Sequence, residues 1–589
     1  MKDHIIRYTK MGNKAVFLLT ILVAFGMIQA DSSIAQTRRR RATPKKTVTT
    51  HKKAVTTPKK VVTNVKDTVP LEGGKDFTVT SGFTPSLKPT SKINFSSTTA
   101  LPVPEKVPLN YNVPAQNLTF TYNPAFLRPL AVNIDTGSVW TNTHFVKLGY
   151  GNYSTPYLEG GFSLGDGYHS AVTIHAKHTA SKGDLPAQEF GKTDVEASGV
   201  FAVSNDNELE ARAYYNNNKQ YAYGGLLPDI NYNKDSLKRS YHDVGIKLGF
   251  SNKFQNLMGV DYHPTIAIDA YGDNQSGKES TLAIDAPFSK RLNETFVAKL
   301  GLGIDVSSFK KDDVKVNNNL VTVRPSIEIN RPDFKLNLGV IPAFYNSDFH
   351  LLPNFSLEAK MRDERFIAMA GWKGYYINNT YRSLTTLNPW ISTPLDFDYT
   401  KTSEVYAGFK GTAGTHLTFN ANVAYLNQKE AILMRNRGDN NLFDVLSDDL
   451  NNLRLHGELG FNAKQSFSLL AGISLNNYSK MDNYDHAYGL SPIEMNGSLR
   501  WRIIPAVLLK SDLDIWTGGY YNDPSGSAEK LSGAADLNVG AEVDIIKNVG
   551  VWLQINNVLN NKYQRFYNYK TIGANFMGGI IFNFGQRKN

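Results

Sequence analysis

The stretch that decides the fold is the C-terminal segment NVGVWLQINNVLNNKYQRFYNYKTIGANFMGGIIFNFG, from Asn548 to Gly585. Its last part has a mainly apolar set of alternate positions, running through Ile572, Ala574, Phe576, Gly578, Ile580, Phe582 and Phe584. Successive side chains of a strand point to opposite faces, so this period of two predicts a strand with one apolar face. The pattern reaches almost to the end of the chain, as we expect of a last strand that pairs with the first and closes a barrel.

The same alternation recurs from about Thr141 onward. It is clear in TFVAKLGLGIDV (295–306), VTVRPSIEI (321–329), NLRLHGELGF (452–461) and DLNVGAEVDI (536–545). Strands of soluble proteins average about 5–6 residues, whereas these runs last about nine to fifteen. A tilted strand that crosses a membrane needs about 9–11 residues. Run length therefore favours a membrane barrel over a soluble β-sandwich.

The connections between these runs alternate in length. Short turns at 204–208, 252–256, 331–333, 502–505 and 546–548 alternate with longer polar links, among them 226–239, 379–401 and 428–449. One rim of tight turns and one of long loops is typical of outer-membrane barrels. Counting from Thr141 predicts 22 strands, an even number that puts both ends on the periplasmic side. Pro325 and Pro342 fall inside predicted strands, where proline is awkward.

The predicted fold class is therefore all-β, a transmembrane antiparallel β-barrel of about 22 strands over residues 141–585 with a disordered N-terminal tail. Residues 1–35 are typical of a secretory signal peptide, because a basic start precedes the apolar run 15–27 and small residues at 33–35. The chain has no cysteine, so neither a disulfide nor an acylated N-terminal cysteine is expected.

Residues 36–66 form a basic Thr/Pro/Lys-rich tail with eleven Lys and Arg and no acid. Residues 1–35 contribute +2 and the whole chain +11, so residues 67–589 sum to about −2. With nothing apolar to bury, the tail is expected to be disordered. It is interpreted as a solvated spacer, or alternatively as a tether to anionic periplasmic material or a membrane surface. Because the chain is exported, no nucleic-acid partner is expected.

Residues 67–140 form a proline-rich segment that is expected to be extended. Nine prolines between residues 67 and 138 oppose regular structure. Apolar residues lie between them, notably Phe77, Phe83, Ile93, Phe95 and Phe120. They suggest that the segment lies against a surface, and the inside of the barrel is the nearest one.

The segment INNVLNNKYQ, from Ile555 to Gln564, resembles the penultimate-strand motif of TonB-dependent receptors of the Bacteroidetes type. The matching positions are Asn557, Leu559, Asn560, Lys562 and Tyr563. Gly579, Phe582 and Phe584 are similar to the closing signal read by the barrel-assembly machinery. The resemblance covers the barrel, about three-quarters of the chain. It implies a Gram-negative outer membrane, contact with its lipid, the assembly machinery as a partner during biogenesis, and a TonB-type energy transducer or other outer-membrane proteins as possible partners.

The chain departs from that family at its N-terminal end. The family carries a folded plug preceded by a short TonB box, whereas the 105 residues from Gln36 to Trp140 are basic at first and proline-rich after. No plug domain is recognisable in them. Three candidates remain to fill the lumen: residues 67–138, inward side chains, or a separate protein.

Charged residues on the last strands are predicted to face the lumen. They are Arg500, Arg502, Asp512, Asp514, Asp536, Glu542 and Asp544. One interpretation is a cation or substrate site, or even a hydrolase; the favoured one is a salt-bridge lattice lining a polar interior. The twelve histidines show no metal-ligand spacing, and GxSxG, HExxH and phosphate-loop motifs are absent. The sequence therefore predicts neither an enzyme nor a cofactor, catalytic or metal site.

Two functions remain open. The chain is either a transport receptor that moves a nutrient inward, or a non-transporting scaffold barrel within an outer-membrane complex. The family resemblance favours transport, while the missing plug and short surface loops favour the scaffold.

Overall fold

The computed structural model describes residues 143–585, apart from 184, 227–231, 255, 257, 362–364, 395, 438–440 and 464–465. The predicted signal peptide, basic tail and proline-rich segment, and with them the missing plug, lie outside the described residues.

The described part of the chain consists of 25 strands and two short helices. The helices are α1 (Lys234–Leu237) and α2 (Tyr381–Leu387). No helix among these residues is both long enough and apolar enough to cross a membrane. The strands are β1 (Thr143–Gly151), β2 (Thr155–Gly165), β3 (Ser170–Ser181), β4 (Phe190–Ala202), β5 (Asn207–Tyr221), β6 (Lys238–Asn252), β7 (Val260–Tyr262), β8 (Thr265–Asp273), β9 (Lys278–Arg291), β10 (Phe296–Lys311), β11 (Val314–Asn330), β12 (Phe334–Tyr345), β13 (Asp348–Met361), β14 (Phe366–Ile377), β15 (Thr400–Ala413), β16 (Leu417–Asn436), β17 (Phe443–Ala463), β18 (Phe467–Ser479), β19 (Ile493–Ile504), β20 (Val507–Trp516), β21 (Tyr520–Asn522), β22 (Ala528–Lys530), β23 (Ala534–Ile546), β24 (Val549–Asn556) and β25 (Asn575–Gly585).

These strands form a closed antiparallel barrel. β1 pairs with β2 on one side and with β25 on the other, from Thr143↔Gly585 to Gly151↔Met577. β7 and β8 both pair with β9 and occupy one position in the wall, and β21 and β22 form a separate two-stranded ribbon. The wall therefore has 22 strand positions, as predicted. Because the last strand meets the first, the sheet has no free edge.

The apolar set of each strand faces outward. On β10, Leu300 and Leu302 are 41% and 42% exposed, and Val321 and Ile327 on the neighbouring β11 are exposed on the same face. Phe576, Ile580 and Phe584 continue this face on β25. From Phe296 to Val306 the strand rises about 33 Å along its own axis, or about 25 Å after a tilt of roughly 40°. That height matches the hydrocarbon thickness that an outer-membrane barrel must span.

The two rims differ as the sequence predicts. Both barrel ends, Thr143 and Gly585, lie on the rim where no connection exceeds seven residues. The long connections 378–399, 517–533 and 557–574 all lie on the opposite rim. Short turns face the periplasm in such barrels, so the rim with the long connections is called the outer mouth below.

Several predicted boundaries were wrong. The link 428–449 is mostly strand, because β16 continues to Asn436 and β17 begins at Phe443. The penultimate strand ends at Asn556, inside the Ile555–Gln564 motif, and the last strand begins at Asn575, after the start of the apolar alternation at Ile572. Pro325 and Pro342 do lie inside strands, but the β11–β12 pairing is interrupted between Thr322↔Ala343 and Ser326↔Gly339. Proline has no N–H to donate there.

Candidate functional site

The outer mouth is occupied by the connection between β14 and β15, residues 378–399, which we call the mouth loop. It opens with α2, whose first turn is fixed by a capping box. Thr380 Oγ1 accepts from the Ser383 amide at 3.0 Å, and Ser383 Oγ accepts from the Thr380 amide at 2.8 Å. Such reciprocal caps satisfy amides that a helix start leaves without partners. The helix start is therefore fixed locally, before any contact with the wall.

The start of α2 rests on a carboxylate of the barrel wall. Glu279 on β9 accepts from the amides of Tyr381 and Arg382 at 2.5 and 3.1 Å. Glu279 pairs with Tyr271 on β8, where Ile266 and Ile268 are exposed on the outward face. Side chains alternate along a strand, so Tyr271 and Glu279 face inward. Helix α2 consequently lies inside the mouth and not above it.

Arg382 reaches further down the lumen wall. Its Nη1 lies 2.7 Å from Tyr214 Oη, 3.4 Å from Asp243 Oδ1 and 3.3 Å from Asp269 Oδ1. Burial would lower the pKa of Arg382, but Asp243, Tyr214 and Asp269 outweigh it and raise that pKa above its usual range. Asp243 lies five residues below the start of β6, about 17 Å along the strand. The mouth loop therefore penetrates well below the rim.

The apolar part of the mouth loop packs on the last long connection of the chain. Trp390 stacks on Tyr569 with ring centroids 3.7 Å apart, and Phe566 meets its edge at 6.0 Å. The Trp390 Nε1 donates to the Tyr221 carbonyl at 2.9 Å. Trp390 and Tyr569 are only 5% and 2% exposed. An aromatic pair buried to this degree is a strong anchor.

The mouth loop is also held by β10, β11 and β17. Phe397 packs on Phe309 at 5.6 Å and accepts from Asn318 Nδ2 at 2.9 Å. Asn378 donates to Asp305 at 2.8 Å. The Ser392 amide donates to the carbonyl of Phe443 at 2.8 Å. Contacts on widely separated strands show that the loop spans the mouth.

Together these contacts build an apolar core inside the outer mouth. It contains seventeen buried apolar residues contributed by the wall and by four connections: Ala187, Tyr221, Ala222, Tyr223, Tyr241, Tyr271, Phe309, Val316, Tyr381, Leu384, Trp390, Ile391, Phe397, Met434, Phe443, Phe566 and Tyr569. Tyrosine hydroxyls in the core have partners: Tyr241 donates to the Pro389 carbonyl at 2.6 Å, and Tyr271 lies 2.6 Å from Thr385 Oγ1. Because all of these contacts are non-covalent, the core can hold the mouth loop in place and can also come apart.

The lumen-facing charges predicted from the last strands form ion pairs, as in the favoured interpretation. Arg500 binds both oxygens of Asp512 at 3.0 and 3.1 Å. Glu542 accepts from Lys510 at 2.6 Å and from Lys147 on β1 at 2.9 Å. A lattice of this kind stabilises a polar interior and ties the closing strands together.

Three of the remaining predicted charges lie in other surroundings. Asp536 accepts from the Tyr563 hydroxyl at 2.6 Å and faces Asp514 in the strand register. Arg502 lies at the short-turn rim and donates to the carbonyl of Pro505 at 2.9 Å; it is not part of the lattice. Among the described residues, no group of three or more His, Asp or Glu side chains is placed to hold a metal ion.

From the sequence, 379–401 is a polar link, and neither Arg382 nor Trp390 was predicted as a functional residue. A local signal was present in NTYRSLTTLNPW (379–390), where a capping Thr-x-x-Ser precedes a short helical stretch that ends before Pro389. Nothing local indicates that this stretch turns inward.

Comparison with known proteins supports the fold. No protein-family profile matches the chain, and no curated protein matches its sequence. Solved structures do match, each over 76% of this chain. The FrpB iron transporter from Neisseria meningitidis (F3-3 variant) is 12% identical, with 82% of its chain covered and a TM-score of 0.58.

Two further solved structures are similar to the same extent. The ferripyoverdine receptor of the outer membrane of Pseudomonas aeruginosa is 11% identical, with 72% of its chain covered and a TM-score of 0.56. The siderophore receptor PirA from Acinetobacter baumannii is 9% identical, with 81% covered and a TM-score of 0.58. The described part of the chain therefore has the barrel fold of outer-membrane receptors and transporters.

Proposed function

We propose that this chain is an outer-membrane receptor barrel that takes up a solute, and that the mouth loop, residues 378–399, is its outer gate. The observation that carries the proposal is the closed mouth: one connection fills it through hydrogen bonds, an ion-pair cluster and aromatic packing. All these contacts are non-covalent and can be exchanged for a ligand or water. The similarity to an iron transporter and to siderophore receptors supports an uptake role.

The way in which the mouth loop is attached suits a gate. Its two ends continue into β14 and β15, which pair with each other from Phe366↔Gly411 to Ile377↔Thr400. Swinging the loop outward therefore breaks no pair of the barrel ladder. A segment that can leave without breaking the barrel ladder can open locally while the wall stays folded.

We also propose a membrane location, a placement of the N-terminal residues and a partner for this barrel. The barrel lies in the outer membrane of a Gram-negative cell, with residues 36–66 in the periplasm and residues 67–138 extended in the lumen. A TonB-type energy transducer is the proposed partner on the periplasmic side. The ion pairs of Lys147 and Lys510 with Glu542 line a polar lumen, in which the backbone of an extended segment can find hydrogen-bond partners.

The gate is tested by labelling a cysteine placed beneath it. Thr322→Cys lies on the inward face of β11, opposite Gly303 and two residues below Leu320, which belongs to the apolar packing of the mouth. The natural chain has no cysteine, so a 2-kDa maleimide polymer added to intact cells reports on this position alone. A gate predicts slow but complete external labelling, faster in energised than in de-energised cells. A cysteine that stays unlabelled for a day, yet reacts after unfolding, contradicts gating.

The second candidate function is a non-transporting scaffold barrel. The size of the apolar core in the mouth favours it, because a large buried core is costly to open. In that case the lumen stays sealed and the outer surfaces of the loops bind partner proteins. Permanent protection of Thr322→Cys, together with photo-crosslinks from exposed loop positions to other outer-membrane proteins, is the expected result for a scaffold.

A further inference from the structure

Three lysines lie side by side at the outer-mouth end of β9, β10 and β11. Lys310 on β10 is paired directly with Lys278 on β9 and with Lys315 on β11. All three side chains are exposed. Directly paired residues have Cβ atoms only about 4.5–5.5 Å apart, so three ammonium groups share one small surface.

This surface faces the lipid and not the lumen. Along β10, Lys310 has the parity of the exposed Leu302 and Ile304, whereas Phe309 has the opposite parity and is buried in the mouth core. One step below the lysines, Ser308 Oγ donates to Asn317 Oδ1 at 2.7 Å. The apolar band begins below that pair, at Val306, and continues to Ile304 and the facing Val321. The lysines therefore sit just above the hydrocarbon, at the depth of lipid headgroups.

On these strands the acidic side chains point into the lumen, whereas the three lysines point outward. The acids Asp273 and Glu279 point inward, where Asp273 pairs with Lys311 at 3.5 Å and Glu279 holds α2. The outward positions at the same level carry only lysine. Among the described residues no carboxylate forms an ion pair with Lys278, Lys310 or Lys315, although Asp312 and Asp313 lie in the turn above them.

Another pair of facing lysines in the barrel does have a carboxylate partner. Lys401 and Lys429 also face each other across two strands, β15 and β16. There, Asp449 forms an ion pair with Lys429. Like charges placed directly opposite each other destabilise a sheet, so an anion from outside the described chain would stabilise the trio on β9–β11. On the β8 side, Lys278 faces Gly272, which leaves lateral room for one.

We propose that Lys278, Lys310 and Lys315 bind the phosphorylated headgroup of an outer-leaflet lipid. Lysine ammonium groups are compact donors that bind phosphate as point charges. The apolar band directly beneath offers a surface for the acyl chains of the same molecule, which free phosphate does not use. A lipid bound there covers the outer ends of the strands that hold two supports of α2. They are Glu279, which accepts from the amide of Tyr381, and Asp273, which accepts from the Tyr381 hydroxyl at 2.6 Å.

The test uses the full-length protein in phosphatidylcholine nanodiscs titrated with diphosphoryl lipid A. Native mass spectrometry counts the bound lipid. Each lysine at an anionic surface is worth about fivefold in affinity, so K278Q/K310Q/K315Q should weaken retention by on the order of a hundredfold. The charge-matched control K290Q/R331Q/K547Q alters three exposed residues of the short-turn rim and should leave retention unchanged.

Four further measurements separate a lipid from free phosphate as the ligand, and separate loss of binding from loss of folding. Lipid A without phosphates should bind the wild type as poorly as diphosphoryl lipid A binds the glutamine triple variant, while 10 mM inorganic phosphate should displace little. K278R/K310R/K315R should retain the lipid. In lipid-free detergent the glutamine variant should be at least as resistant to heat as the wild type, because repulsion is removed. Equal retention by wild type and glutamine variant, or full displacement by inorganic phosphate, overturns the proposal.

Discussion

Arg382 brings a guanidinium into a part of the lumen that already holds the carboxylates of Asp243 and Asp269. If Arg382 is removed, two acids remain close together without their cation. Breaking a buried charge cluster costs about 3–5 kcal/mol, and the 31% exposure of the Arg382 side chain reduces this to about 1–3 kcal/mol through solvent screening. This free energy stabilises the inward position of the mouth loop and not the folded barrel wall.

At this scale we predict that Arg382→Met opens the mouth loop without unfolding the wall. A loss of about 1–3 kcal/mol corresponds to roughly a 5–150-fold larger open population. Hydrogen exchange of the amides in α2 should accelerate by that factor, while the amides of β10 and β23 stay protected. The control R382M/D243N/D269N removes the repelling acids together with the cation and should restore much of the protection. Unchanged exchange in R382M would rule out the ion-pair cluster as a latch.

The sequence predicted one of the two ionic sites, the pair of Arg500 and Asp512, but not the other, the contact of Arg382 with Asp243. Arg500 and Asp512 lie twelve positions apart on adjacent hairpin strands, so the period of two was enough to put them on one face. Arg382 and Asp243 lie 139 positions apart. Their contact depends on the inward course of a connection, which no local periodicity encodes.

Each strand of the wall has one face toward the lipid and one toward the lumen, and β23 is a clear example. Val539 is exposed toward the lipid. Asn538, on the other face, accepts from the Asn557 amide at 2.9 Å. Val539 lies near the middle of Ala534–Ile546, where the hydrocarbon is deepest.

At the scale of the element we predict unequal effects of the same substitution on neighbouring residues. Val539→Arg should destabilise the barrel by about 2–4 kcal/mol, because a cation is placed near the bilayer midplane. Asn538→Arg should cost about 1 kcal/mol, the worth of the hydrogen bond from Asn557. Urea titration of refolding into lipid vesicles measures both. Equal losses would mean that the two side chains do not face different solvents.

The strand ends were harder to predict than the faces. Alternation in INNVLNNKYQ continues past Asn556, yet β24 stops there. Asn557 and Asn560 adopt φ of 48° and 62°, in the left-handed region that asparagine tolerates. Asn557 Nδ2 then donates to the carbonyls of Asn561 and Ile572 at 2.9 and 3.1 Å. Side-chain hydrogen bonds that replace the ladder leave no mark on hydrophobic periodicity.

The whole molecule is a wide cylinder whose conductance depends on what fills it. The mouth loop closes one end in the described part of the chain. The proline-rich residues 67–138 are proposed to occupy the lumen below it. On these two proposals, the lumen contains two barriers in series, and both must be removed before ions pass.

We therefore predict that deletion of residues 67–138 and Arg382→Met act together. Full-length protein in planar bilayers should conduct little, each change alone should give only brief openings, and the combination should give a large, lasting pore. Correctly folded barrels are verified by their resistance to SDS without heat. A combined variant that stays closed would assign the block to inward loops or a partner protein, and a wild type that already conducts would favour a passive channel.

The stacking of Trp390 on Tyr569 has a consequence for the order of events during biogenesis. Residues 378–399 leave the ribosome long before the connection between β24 and β25, which carries Tyr569 and Phe566. Until the connection between β24 and β25 occupies the mouth, the earlier loop lacks the surface on which its indole is buried. A barrel without that connection leaves Trp390 exposed to water, whereas the finished molecule buries it to 5% exposure. Completion of the barrel and burial of its mouth loop thus become one event.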